Sequence, residues 1–109
     1  MSPSLQVTQS VHRAFGRLIR LTLDTDTRLD FTAEEAATVS RALAAVREER
    51  SAEREIYMSP IASDHEFSGA VLPNGIRIAI AGTALNLDWD GVDRLARDLL
   101  SPTPLNNRD

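Results

Sequence analysis

Apolar and polar residues alternate without a break over Ile19-Arg20-Leu21-Thr22-Leu23-Asp24, the period of a strand with one buried face. Asp24-Thr25-Asp26-Thr27 supplies turn chemistry, and Leu29 and Phe31 read as the return strand. Thr32 then stands where a helix cap belongs, and Glu35, three residues on, completes a capping box. Ala36, Val39, Leu43 and Val46 follow at helical spacing, so a narrow stripe faces the core. The charged run Arg47–Glu55 is expected to carry this helix past Val46, its last apolar anchor. Pairs such as Arg50 with Glu53 would hold it in water, as a solvated end or as a handle for a partner.

The same pattern returns later in the chain. Phe67–Leu72 reads as a strand, Pro73-Asn74-Gly75 turns the chain, and Ile76–Ala81 runs back. After the turn Gly82-Thr83, Leu85 and Leu87 lead to Asp88 as a cap. Val92, Leu95, Ala96, Leu99 and Leu100 then form a helix face, which Pro102 and Pro104 end. Leu29-Asp30-Phe31-Thr32 matches Leu85-Asn86-Leu87-Asp88, 56 residues further on, and the match continues through Val39 with Leu95 and Leu43 with Leu99. Upstream the offset is 57, where Ile19–Leu23 meets Ile76–Ile80. Leu5, Val7 and Val11 fit a strand, while Val7, Val11, Phe15 and Leu18 also fit a helix face. The strand in the matching place of the second unit favours a strand.

The expected fold is therefore α+β: an antiparallel sheet with two helices, built as a duplicated strand–strand(–strand)–helix unit. The units span about 5–55 and 61–101 of a single domain, 1–109, with a frayed tail over 102–109. Its core is expected to hold Ile19, Leu21, Leu23, Phe31, Val39, Leu43, Ile78, Ile80, Leu95 and Leu99.

Composition narrows the function. A chain of 109 residues with 42% hydrophobic and 26% charged residues suits one folded domain. No apolar run approaches the ~20 residues of a membrane span, and the N-terminus has no signal-peptide pattern. With no cysteine there is no disulfide framework and no thiolate metal site, so the cytoplasm is the expected compartment. Every basic residue apart from the two histidines is arginine, which removes Schiff-base and Walker-type lysine chemistry. A net charge of −4 disfavours nucleic acid as a partner.

Three short stretches are candidates for chemistry. Leu21-Thr22-Leu23-Asp24-Thr25-Asp26-Thr27 resembles the first motif of the haloacid-dehalogenase-like phosphatases, which implies Asp24 as nucleophile and Asp26 as acid/base. The resemblance covers only these residues. The chain is too short for that family's doubly wound domain and holds no lysine, and a polar hairpin turn accounts for the same residues. Asp88-Trp89-Asp90-Gly91 has its glycine too early for a calcium loop and fits a helix cap. In Ser63-Asp64-His65-Glu66 the two acids lie on one face of an extended segment and His65 on the other, as in a polar loop.

His12, Arg13, Arg17 and Arg20 make a locally basic stretch with no acid before Asp24. Arg13, Arg17 and Arg20 are the candidate partner-binding residues, open to an acidic partner, to phosphates or to neutralisation by the chain's own acids, such as Asp24 or Glu34. No catalytic, cofactor-binding or metal-binding residue is assigned. The expected function is a non-enzymatic protein-interaction module, a small accessory or regulatory protein and a homodimer, working through a sheet edge or a helix surface. Tyr57 and Trp89 are its candidate exposed aromatics. The alternative is a small phage- or plasmid-type inhibitor of a host defence or nucleic-acid-processing protein.

Overall fold

The ambiguous N-terminal stretch is a strand. In the computed structural model, which describes residues 5–24, 27–49 and 52–101, β1 (Leu5–His12) pairs antiparallel with β2 (Gly16–Leu23). Its register sets Leu5 opposite Leu23 and Val7 opposite Leu21, so Leu5, Val7, Ile19, Leu21 and Leu23 share one face, while Leu18 projects from the other. β3 (Thr27–Phe31) adds to the other side of β2, and α1 (Ala33–Arg47) follows.

The second half runs β4 (Glu55–Met58), β5 (Phe67–Leu72), β6 (Gly75–Ile80), β7 (Thr83–Asp88) and α2 (Trp89–Leu100). The strands do not form the single sheet expected. They divide into an antiparallel sheet β1-β2-β3 and an antiparallel sheet β4-β5-β6-β7. The fold is α+β, and one apolar cluster draws on both sheets and both helices. All ten expected core residues are buried. Phe31 from the first sheet meets Phe67 from the second edge-on, with ring centroids 6.0 Å apart.

Pairing in the two halves corresponds residue by residue. Leu23–Thr27, Leu21–Leu29 and Ile19–Phe31 in the first sheet answer to Ile80–Thr83, Ile78–Leu85 and Ile76–Leu87 in the second. Two side-chain contacts between the halves join residues that the sequence offset also matches. The Thr27 and Thr83 hydroxyls lie 2.9 Å apart, and Ser40 Oγ donates to the Ala96 carbonyl at 2.6 Å. β4 has no counterpart among the described residues of the first half.

Both helices start as their caps require. Thr32 Oγ1 accepts from the Glu35 amide while Glu35 Oε1 accepts from the Thr32 amide, and Asp88 Oδ1 accepts from the Gly91 amide at 2.8 Å. The first helix ends sooner than its charged run suggests. It stops at Arg47, one residue beyond Val46, and Glu49 takes a left-handed conformation at φ 60. Without further apolar residues to bury, isolated charge pairs worth a few tenths of a kcal/mol do not offset the entropy of ordering more turns. Arg50 lies outside the described residues, so its pair with Glu53 does too.

The connection between β4 and β5 closes an edge. Ser63 Oγ accepts from the Asp30 amide at 2.9 Å and donates to the Asp30 carbonyl at 3.0 Å, occupying backbone groups on the open side of β3. The Ile61 amide reaches Glu35 Oε2 at 3.0 Å, so the capping glutamate also fixes this loop.

Candidate interaction surface

Alternation along β2 separates the candidate arginines. Arg20 projects from the face away from the helices and pairs across the sheet with Asp30, directly opposite in register. Its Nε lies 2.9 Å from Asp30 Oδ1 and its Nη2 3.2 Å from Oδ2, a bidentate arrangement. The hydrogen bond to Asp30 holds the Arg20 guanidinium above its ordinary range, against a smaller opposing effect of burial. The acid that neutralises this arginine is thus Asp30, and neither Asp24 nor Glu34.

Arg17 shares the face of Ile19, Leu21 and Leu23 but lies beyond the point where the helices cover it. It lines a groove of about 280 Å³ with Gln9, Ile19, Leu99 and Leu100. Val11, its partner across the hairpin, is 79% exposed, and Leu100 at the end of α2 is 62% exposed. Arg13 sits in the β1–β2 turn, which His12 organises. His12 Nδ1 accepts from the Ala14 amide at 2.9 Å and the Phe15 amide at 3.3 Å, and its ring lies 4.9 Å from Phe15. Arg13 and Arg17 are exposed, and neither is in an ion pair among the described residues. The hairpin end therefore joins two cations to the exposed apolar side chains of Val11, Phe15 and Leu100.

The other candidates have structural roles or stand apart. Asp24 adopts φ 58 at the turn, a conformation that aspartate tolerates, and Asp26 lies outside the described residues. Asp88 is the cap of α2. Asp64, His65 and Glu66 are exposed. A second groove, of about 530 Å³, runs between Leu5, β7 and the first turns of α2, with Asn74, Asn86, Asp88 and Arg94 as its polar lining. Neither groove includes Asp24 or His65. Among the described residues no three histidine or acidic side chains are grouped to hold a metal, and no helix is long and apolar enough to cross a membrane.

No known protein family, curated protein or solved structure matches this chain.

The two exposed aromatics named from sequence differ in kind. Trp89 is half-buried. Its Nε1 donates to the Pro73 carbonyl at 3.4 Å, and the Arg47 guanidinium stands over its ring, 5.7 Å from the centroid, while also pairing with Asp93. Tyr57 is 63% exposed on β4. It belongs to a face that the sequence reading missed, the side of the second sheet turned away from the core. The signal was present in the small residues Ser68, Ala70, Ala79 and Ala84, which alternate with buried ones. It became legible only once β4 was placed beside β5.

Proposed function

We propose that this chain is a non-enzymatic protein-interaction module, built as two copies of one strand–strand–strand–helix unit, that engages a protein partner through the end of the β1–β2 hairpin. The observation that carries this reading is the juxtaposition of Arg13 and Arg17 with exposed Val11, Phe15 and Leu100. Arginine and aromatic residues often dominate interfaces, and apolar anchors ringed by charge suit a protein surface of opposite sign. Arg20 is left out, because its charge is already answered by Asp30. Reading the chain as an inhibitor of a nucleic-acid-processing protein calls for an acidic binding face, and the hairpin end is basic.

The test is affinity capture from the native host followed by mass spectrometry, with the intact chain and with the double variant Arg13→Glu/Arg17→Glu. Capture of a defined partner by the intact chain and its loss in the variant, at an unchanged melting temperature, is the expected result. Capture that survives the double reversal removes the hairpin end from consideration.

A further inference from the structure

The outward face of the second sheet carries a pattern that complements itself. Register places Glu55, Ala70, Arg77 and Asn86 in one row across β4, β5, β6 and β7, and Tyr57, Ser68, Ala79 and Ala84 in the next. All eight are exposed or half-buried, whereas Ile56, Phe67, Gly69, Ile76, Ile78, Ile80 and Leu85 on the inner side are buried. Glu55 and Arg77 are opposite charges two strands apart, with only alanine between them. Among the described residues neither has an ion-pair partner. Tyr57, the one large side chain of its row, likewise lies two strands from Ala79.

We propose that this face binds a second copy of the chain, about a two-fold axis running along β5 between the two sheets. A two-fold in that position carries β4 of one copy over β6 of the other and keeps each row facing itself. Glu55 then meets Arg77 of the second copy, and Arg77 meets its Glu55, so both charges are answered twice. Tyr57 stands over Ala79 of the second copy, the small residue that leaves room for its ring, and this contact is also made twice. Ser68 and Ala70 lie at the axis, where each meets its own counterpart and bulk or charge would clash. A two-fold interface must be complementary to itself, and this arrangement is so in charge and in volume. Packed sheets hold their strand directions within about 30° of each other, which keeps three adjacent strands near register. Four strands ~4.8 Å apart and about six residues long make a face well below the ~800 Å² per partner of a tight complex. The dimer is therefore a weak one.

This inference extends the interaction-module reading to a second surface, and its test does not touch the hairpin end. Sedimentation equilibrium from about 10 µM to 1 mM spans the range in which a weak interface fills. The intact chain is expected to pass from monomer to dimer. Glu55→Arg and Arg77→Glu should each weaken association about tenfold or more, by setting like charges together, and the double exchange should restore it. Ala79→Arg should abolish it, with folding checked for every variant by thermal melting. An intact chain that stays monomeric throughout overturns the proposal. So does a dimer that is indifferent to the single reversals, or one that the double exchange fails to restore. Loss of hairpin-mediated partner capture would leave these outcomes unchanged.

Discussion

Gly75 opens β6 where the turn from β5 brings the backbone against β7. A methyl group there would lie 1.7 Å from the Leu87 carbonyl oxygen, a fixed backbone atom that cannot swing away. At Gly69 the nearest atom to such a methyl is Ile76 Cγ2 at 3.2 Å, a side-chain group that can shift by a few tenths of an ångström. Gly75→Ala should therefore cost about 3 kcal/mol or more, at or beyond the upper end of ordinary overpacking, and Gly69→Ala clearly less. Urea unfolding of both variants measures the difference; equal costs would mean that the backbone contact is not what requires glycine. Arg20 shows the same dependence on its surroundings. By composition it looks like Arg13 and Arg17, yet Arg20→Glu would set a carboxylate beside Asp30. That is why the capture experiment reverses only the other two arginines.

At the scale of elements, burial decides which sequence signals are obeyed. Leu43 and Leu99 sit at matched places in α1 and α2, both buried in the shared core. Truncating either to alanine should cost roughly 2–5 kcal/mol, the usual range for a buried leucine. A cost under about 1 kcal/mol at both, read from denaturant midpoints, would show that the helix faces are misassigned. Both helix faces, both caps and the strands β2, β3, β5, β6 and β7 could be read from periodicity, because in each an apolar stripe coincides with a chemical start or stop signal; β1, whose spacing also fits a helix, was decided only by the match with the second half. β4 could not. With only Glu55, Ile56, Tyr57 and Met58 it holds a single buried apolar residue, too short a run for alternation to register. The end of α1 was missed for the opposite reason: a run of helix-favouring residues is present, but none of the described residues of that run, 47–49 and 52–55, is buried to reward extending it.

Across the whole molecule, strand order and pairing were only partly legible. Alternation says which face of a strand is buried but not which strands share a sheet, so strands that divide between two sheets had looked like members of one. The basic stretch was legible as residues and not as a surface, because a period of two sends Arg17 and Arg20 to opposite sides. The division into two sheets has a consequence for the chain as a polymer. Among the described residues no strand pairs outside its own half, and the halves are joined covalently through the segment between α1 and β4. A polypeptide ending at Arg50 and another beginning at Ser51 would each keep a complete set of strand partners and lack only the opposite half of the core. Neither fragment should fold alone, since Ile19, Leu21 and Leu23 in one and Ile76, Ile78 and Ile80 in the other would face water. Mixed, they should assemble into a native-like heterodimer that melts cooperatively, at a temperature that climbs with fragment concentration as mass action requires. Circular dichroism of the equimolar mixture at about 100 µM, a concentration ample for micromolar association, would reveal it. A spectrum equal to the sum of the separate fragments would show that the peptide link is indispensable. In the expected case the peptide bond between residues 50 and 51 serves as a tether, raising local concentration while the strand pairing lies within each half.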